Sequence, residues 1–244
     1  YRPTSDRNVV VIESGAFPSD DYAMASQVRA RGFDPATSLV RLAAGPDGWF
    51  DTDEIIRTLT NIGKRLSVVV LGGINFRTGQ LFDMKRITDA VHDVGALMIW
   101  DLAHAAGNVP LALHDWDVDA AAWCTYKYLN SGPGSIAGAF IHERLVDRSD
   151  LTPLQGWWGN DPSSRFEMTE TIRPARGAAG WQISTPPMLS MAPVAVALEQ
   201  FGRAGGMAVL RERSLRLTAY LETLLDELVV THRVEQLTRR DPST

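Results

Sequence analysis

The sequence predicts an α/β fold: a mostly parallel mixed sheet sandwiched by helices. Two observations predict it. Short apolar runs alternate with helix-length segments through the first part of the chain, a pattern typical of parallel sheets. From Pro187 onward the pattern becomes helical and amphipathic. We therefore expect one large domain over residues 1–200. A connecting helix and the start of a smaller domain should follow over residues 201–244.

Six apolar runs are predicted as strands because they are short, rich in β-branched residues and bounded by turn residues. Between them, helices are indicated by amphipathic spacing, by acidic residues after Asp51 that favour a helix start, and by Gly32 and Gly95 as helix ends. The predicted strands are residues 8–12, 38–42, 67–71, 96–100, 119–124 and 136–141, and the predicted helices are residues 22–31, the segment from 51, 83–94, 193–201 and 207–230.

Composition narrows the class of protein. The chain has 244 residues, 45% hydrophobic and 22% charged, with a net charge of −5, so it can bury a sizeable core and lacks a basic footprint for nucleic acid or membrane surfaces. No apolar run approaches the roughly 18 to 20 residues that span a bilayer. A single cysteine, Cys124, excludes an intrachain disulfide and favours a cytoplasmic protein. No His/Cys spacing indicates a metal site.

Two polar residues follow neighbouring predicted strands. Asp101 ends the fourth strand, and Lys127 follows the fifth. Ligands of parallel α/β sheets bind at the carboxyl ends of strands, so both side chains should lie at the ligand-binding edge. The alternatives are a helix N-cap for Asp101, a solvated Lys127 and, for the nearby His104, an ordinary structural histidine.

The pair suits pyridoxal phosphate (PLP) chemistry. Lys127 can form an imine with the cofactor aldehyde and then shuttle a proton. Asp101 can keep the pyridine nitrogen protonated so that the ring accepts electrons. His104 could stack on that ring or hydrogen-bond to Asp101.

Longer motifs carry a resemblance to a known family. They are D-L-A-H-A-A-G-N-V-P from Asp101, A-W-C-T-Y-K-Y-L-N-S-G-P-G from Ala122, G-W-W-G from Gly156 and S-T-P-P from Ser184. In these motifs the chain resembles the kynureninases, and the resemblance covers nearly its whole length. Class-V aminotransferases and cysteine desulfurases share the aspartate and the lysine but not these motifs.

The resemblance implies a set of cofactor contacts. An F-P-S-D loop follows the first strand, and its aromatic ring would stack on the pyridine. The same loop could instead cap a helix through Asp20 or Asp21. Tyr126 would bind the phosphate and is a candidate proton donor, whereas a family serine near the phosphate is replaced here by glycine. The implied contacts are Phe17, Pro18, Ser19, Asp20, Gly72, Asp101, His104, Tyr126, Lys127, Trp157 and Thr185, the last two contributed across a homodimer.

The resemblance also implies an activity. Kynureninases hydrolyse L-kynurenine to anthranilate and L-alanine in tryptophan degradation. Thr185 and Asn160 resemble the type that prefers kynurenine over 3-hydroxykynurenine. The family's first phosphate loop and its substrate-binding arginine fall outside residues 1–244, so this piece alone is expected to be nearly inactive.

Three other functions remain open from the sequence. A cysteine desulfurase or another class-V aminotransferase would keep the same Asp and Lys, but the single Cys124 is expected to be buried and inert. A non-catalytic relative would keep only the fold and the dimer surface. A nicotinamide-binding domain is disfavoured because no G-x-G-x-x-G follows the first strand.

Overall fold

One six-stranded sheet organises the molecule, in the strand order β2-β1-β3-β4-β5-β6. The computed structural model describes residues 1–146, 148, 151, 153–231 and 236–240. The first five strands run parallel, and β6 pairs antiparallel with β5. The strands are β1 (Val9–Glu13), β2 (Leu39–Leu42), β3 (Leu66–Gly72), β4 (Leu97–Asp101), β5 (Ala120–Trp123) and β6 (Gly138–Ile141).

Seven α-helices are described around this sheet. Three of them begin with an aspartate whose side chain accepts a backbone hydrogen bond: Asp34 from the Ala36 N–H at 2.9 Å, Asp51 from the Glu54 N–H at 2.9 Å and Asp83 from the Arg86 N–H at 3.2 Å. The helices are α1 (Pro18–Ala30), α2 (Pro35–Ser38), α3 (Thr52–Ile62), α4 (Met84–Asp93), α5 (Glu143–Val146), α6 (Met188–Arg203) and α7 (Gly206–Thr231).

The core lies on both faces of the central strands. All residues of β1 and β3 are buried, as expected for strands covered on two sides. One face carries the larger apolar cluster, with α3 and α4 against it, and the other carries a smaller cluster beneath α1. Trp100 is fully buried in the larger cluster, and its indole N–H donates to Thr88 Oγ1 at 3.1 Å.

The predicted sheet is confirmed. Each of the six strands is found within about two residues of its predicted limits, and the sheet is mostly parallel with one antiparallel edge strand. Apolar runs bounded by turn residues were therefore a sufficient signal for strands that are buried on both faces.

Two helix starts differ from the sequence prediction. Helix α1 begins at Pro18 rather than at Tyr22, because proline at the first helical position loses no hydrogen bond there. Helix α6 begins at Met188, and Pro193 lies inside it. The prediction took Pro193 as a helix start, but a helix can continue through a proline at the loss of one backbone hydrogen bond.

Nothing among the helices of the described residues has the length and apolar character that a membrane crossing requires.

Candidate functional site

The predicted Asp and Lys lie at the same edge of the sheet. Asp101 is the last residue of β4 and pairs with Ala122 of the neighbouring parallel strand β5. Lys127 lies shortly after the end of that strand, at Trp123. Both side chains act electrostatically on Asp20 and on His104, so they face a common space. The predicted convergence is therefore found.

His104 contacts the amine of Lys127. Its Nε2 lies 3.2 Å from Lys127 Nζ. Burial lowers the pKa of His104, the charge of Lys127 lowers it further, and Asp101 opposes them. Since an ammonium group only donates, Nε2 of a neutral ring must accept this hydrogen bond and Nδ1 must carry the proton. Among the described residues no hydrogen bond joins His104 to Asp101, so the ring contacts Lys127 instead of the predicted Asp101.

Aromatic rings surround this amine. The Phe17 ring centroid lies 5.8 Å from Lys127 Nζ, and Phe17 meets Phe76 edge-on at 5.7 Å. Phe76 stacks on His104 at 6.3 Å, and Tyr128 meets His104 edge-on at the same separation. The sequence predicted Phe17 but missed Phe76 and Tyr128, for which no local signal exists.

Two carboxyl groups lie near the amine. Asp101 Oδ1 accepts the Ala103 N–H at 2.8 Å. Burial raises the pKa of Asp20, and the charge of Asp101, hydrogen bonding with it and the charge of Glu13 raise the pKa further, to about 7, against the opposing effect of Lys127.

Asp20 is not a helix cap. It lies in the first turn of α1, where Pro18 and Ser19 precede it, and Phe17 occupies the cap position without a side-chain hydrogen bond. The neighbouring Asp21 instead forms an ion pair with Arg41 at 2.6 Å. The capping alternative for this loop is therefore wrong, and Asp20 is free to face Asp101.

The N–H of Gly72 has a partner within the chain. It donates to the carboxylate of Glu13, with N–O distances of 3.3 and 3.4 Å. A Cβ at position 72 would lie 3.1 Å from Glu13 Oε1 and 3.3 Å from the Ile74 carbonyl oxygen, so the site favours glycine. The phosphate contact implied for Gly72 stays a prediction. The sequence also missed Glu13, although it ends a strand just as Asp101 does.

Tyr126 is 51% exposed at this edge. The charge of Cys124 and a hydrogen bond to its thiol raise the pKa of Tyr126, with smaller contributions from burial and Asp101. Cys124 is only partly buried, so the expectation of a buried thiol is wrong. Cys124 directly follows β5, and its Sγ lies 3.7 Å from the Ala103 carbonyl oxygen.

Among the described residues, no hydrogen bond, ion pair or ring contact joins Trp157, Thr185 or Asn160 to Lys127. Trp157 is 43% exposed; its indole N–H donates to the Arg165 carbonyl at 3.0 Å, and its ring contacts Trp158 and Phe166. Thr185 is exposed in the loop before α6. Asn160 is buried, and its side-chain oxygen accepts two backbone N–H groups, from Asp161 and Arg173. Within one chain, these residues do not join the Lys127 cluster.

A cavity opens beside the amine. Its volume is about 830 Å³, within the range of ligand sites. Lys127, His104 and Tyr128 form one wall, and Gln200 and Phe201 at the end of α6 form the opposite wall.

The residues present fit PLP on three counts. The amine of Lys127 can condense with the aldehyde of PLP. The carboxylate of Asp101, at the sheet edge, can pair with the pyridine nitrogen, and exposed aromatic rings such as Phe17 can cover the face of the pyridine ring. Among the described residues, no group of three or more His, Cys, Asp or Glu side chains is arranged to hold a metal ion.

Comparisons with known proteins show the family of this chain. The chain belongs to the class-V aminotransferase family, whose pattern matches residues 35–244. It is 51% identical over 243 residues to a kynureninase of Salinispora tropica, covering 99% of this chain and 56% of that protein. It is 46% identical to a kynureninase of Dictyostelium discoideum, covering 98% of this chain and 54% of that protein. The chain thus spans about half the length of the curated relatives it matches.

Solved structures share the fold. A C-DES mutant with glycine covalently linked to its PLP cofactor superposes with a TM-score of 0.75 at 18% identity, covering 91% of this chain and 56% of that one. A cysteine desulfurase from Thermococcus onnurineus NA1 gives a TM-score of 0.70 at 16% identity, covering 91% and 52%. At these identities the likeness concerns the fold alone.

Proposed function

We propose that the protein containing this chain hydrolyses L-kynurenine to anthranilate and L-alanine with PLP as cofactor. One observation carries the proposal: Lys127 and Asp101 face a common space at the ends of adjacent strands, in a chain 51% identical to a kynureninase. Cavity volume and aromatic walls support an aromatic amino-acid substrate.

When bound, PLP supplies an aldehyde that condenses with amines and a protonated ring that accepts the electrons of a breaking bond. Lys127 would provide the amine that holds the cofactor and the base that moves the substrate's α-proton. His104 keeps Nζ in place through its 3.2 Å contact and, being neutral, adds no charge that would oppose that proton transfer.

Asp101 is the partner of the pyridine nitrogen in this proposal. The Ala103 N–H at 2.8 Å orients its carboxylate, and the charge of Asp101 contributes to raising the pKa of Asp20. Phe17 would cover one face of the ring from the start of α1. Tyr126 would reach the phosphate and could return a proton to the reacting carbon.

Trp157 and Thr185 would complete the site of a second copy. Both are exposed here and lie apart from Lys127, which supports a homodimer with shared sites. We further propose that residues 1–200 form the cofactor domain, that α7 leads into a smaller domain, and that the protein is cytoplasmic. Residues 1–244 alone would then turn over little.

The assay uses the longer protein that contains this chain. Purified protein with PLP and L-kynurenine should release anthranilate, and the Lys127→Ala variant should release none. With 3-hydroxykynurenine, kcat/KM should be lower, as the threonine at position 185 suggests. A clear preference for the hydroxylated substrate would overturn that part of the proposal.

Other class-V chemistries serve as controls in the same experiment. Because Cys124 is partly exposed, sulfide release from L-cysteine is measured in wild type and in Cys124→Ser. Anthranilate release without sulfide release is the expected result. Sulfide release that depends on Cys124, or conversion of a keto acid without anthranilate, would contradict the kynurenine proposal.

A further inference from the structure

Two histidine rings stack at the amino end of β5, away from the proposed cofactor site. His114 lies in the segment between β4 and β5, and His142 directly follows β6. Their ring centroids are 5.0 Å apart, and the angle between the ring planes is 13°. The proposed reaction uses neither ring. Because two cationic rings at this distance would repel each other, the stack favours one positive charge over two.

His142 is the neutral member of this pair. It is 7% exposed, and its Nδ1 accepts the backbone N–H of Arg144 at 3.2 Å, in the first turn of α5. A nitrogen that accepts a hydrogen bond carries no proton, so the ring proton is on Nε2, which lies 3.4 Å from Asp117 Oδ1. A second proton on His142 would remove the acceptor that caps α5 and would bury a charge.

His114 is the member that carries the charge. Its side chain is 64% exposed, so water can solvate a cation there. Nδ1 lies 3.3 Å from Asp115 Oδ1, and Nε2 lies 3.7 Å from Glu143 Oε1. Only the cationic ring has protons on both nitrogens, so only that form can serve both carboxylates. Hydrogen bonding to Asp115, and then to Glu143, raises the pKa of His114 above its ordinary value.

The other charged groups near the stack form a network of their own. Asp117 accepts the Nε–H of Arg144 at 2.8 Å and lies 3.6 Å from His92 Nδ1. Arg144 and His92 also contact the buried Asp119. These groups come from α4, from the segment before β5 and from α5, and among the described residues none of the four contacts His114. His114 can therefore change its protonation without disturbing the contacts of Asp119.

We propose that His114 is a pH-sensitive latch, which as a cation stacked on the neutral ring of His142 ties the segment before β5 to the start of α5. The neutral ring of His114 has one proton only, so it cannot serve both Asp115 and Glu143. The latch is therefore closed below the titration midpoint of His114 and opens as the pH rises through it. The cofactor takes no part, so failure of the latch leaves the proposed function intact.

NMR of the longer protein that contains this chain, with ring-labelled histidine, tests where the proton lies. The two resonances are assigned with His114→Gln and His142→Asn; the asparagine oxygen can still accept the Arg144 N–H. His114 should titrate with a midpoint above 6.5, and His142 should show the ring-nitrogen shifts of the Nε2–H form at pH 7. A His114 midpoint at or below 6.5, or an Nδ1–H form of His142, would overturn the proposal.

Carboxylate variants test the two partners of the latch. Glu143→Gln and Asp115→Asn should each lower the His114 midpoint by about 0.3 pH unit, the size expected of an exposed ion pair. The matched control is Glu170→Gln, at an exposed position that contacts neither histidine among the described residues, and it should shift nothing. An unchanged midpoint in either carboxylate variant would contradict a latch with two partners.

The opening itself is measured between the two rings. At pH 6 a nuclear Overhauser effect should join the ring protons of His114 and His142, and at pH 9 it should be lost. The Arg144 amide resonance should move with the His114 midpoint in wild type and stay in place over that range in His114→Gln. Rings that keep the same contact at both pH values would refute the latch, because the stack would then be a structural contact without pH dependence.

Discussion

The two ends of β4 and β5 place their carboxylates in opposite electrostatic environments. At the amino end, Asp119 precedes β5 and is 1% exposed. At the carboxyl end, Asp101 closes β4. The first carboxylate is surrounded by donors and cations, whereas the second faces two other carboxyl groups and one amine.

Three partners lie against Asp119: two hydrogen-bond to Oδ2, and one forms an ion pair with Oδ1, which accepts no hydrogen bond. His92 Nε2 and the Met98 N–H reach Oδ2 at 2.8 and 2.7 Å, and Arg144 Nη1 lies 2.7 Å from Oδ1. Burial alone would raise the pKa of Asp119, but these contacts outweigh it and hold the pKa below its usual value. This carboxylate therefore ties α4, β4 and α5 to the start of β5.

The carboxyl end lacks such compensation. Burial and the charge of Asp101 raise the pKa of Asp20 to about 7, and burial raises the pKa of Glu13. At the amino end of these strands, the carboxylate is paired with donors and a cation. Carboxyl groups without such pairing, as at the carboxyl end, are typical of functional sites. We therefore call the amino end, at Asp119, the structural edge, and the carboxyl end, at Asp101, the chemical edge.

The largest expected effect on stability is at the structural edge. Asp119→Asn removes the charge that Arg144 and His92 face and places amide donors against them. We expect a loss of about 3 kcal/mol in the free energy of unfolding at pH 7, measured by urea denaturation. The loss should shrink as the pH falls below about 4, because a lowered folded pKa contributes stability only above the unfolded value.

Asp115→Asn is the matched control, since that side chain is 81% exposed. It should change the free energy of unfolding by less than about 0.5 kcal/mol. Equal effects of the two substitutions would remove the distinction between a structural and a chemical edge.

Gly107→Ala should have the next largest effect, at the chemical edge. Gly107 has φ +84°, and an added Cβ would lie 2.8 Å from the Tyr128 carbonyl carbon. Backbone cannot yield cheaply, so we expect about 2 kcal/mol of destabilisation beyond the cost of the dihedral alone, with displacement of the Lys127 loop. Gly132→Ala is the control, with φ +81° and no atom within 4 Å. A similar cost for both substitutions would mean that Gly107 is not a close-approach position.

Asp20→Asn should have the smallest effect and the opposite sign. Because the folded pKa of Asp20 is raised, wild-type stability is fully present below the unfolded value of about 4 and falls as the pH rises through about 7. The variant should thus stabilise the cofactor-free protein by about 1 kcal/mol at pH 8, a value reduced by solvent screening of this half-buried group, and by nothing at pH 4.

Its neighbour offers the control. Asp21 pairs with Arg41 at 2.6 Å on the surface, and the hydrogen bond from Arg41 lowers its pKa. Asp21→Asn should therefore lose up to about 0.5 kcal/mol instead of gaining stability. Thermal unfolding at pH 4 and pH 8 distinguishes the two, and a loss at pH 8 in Asp20→Asn would contradict the account.

Strand positions and the central pair could be predicted from sequence for a physical reason. Strands buried on both faces leave continuous apolar runs, and a polar residue directly after such a run lies at the carboxyl edge, as Asp101 does. The same signal was present at Glu13 and was not used. Helix starts at Pro18 and Met188 were missed because proline both begins and tolerates helices.

Contacts between distant segments of the chain could not be predicted from the sequence. The stacking of Phe76 on His104 joins loops that follow different strands. The N–H of Gly72 donates to Glu13, which is far away in the chain, so no local sequence pattern indicates this hydrogen bond. Such pairings follow from strand order, which short-range patterns do not encode.

Reductive trapping tests the central claim most directly, because the chain contains only three lysines, Lys64, Lys85 and Lys127. The chain is incubated with PLP, reduced with borohydride, digested and mapped by mass spectrometry. We predict that the phosphopyridoxyl group is found on Lys127, and that Asp101→Asn reduces its yield. Equal labelling of all three lysines, or labelling of Lys64 and Lys85 in preference to Lys127, would contradict the account.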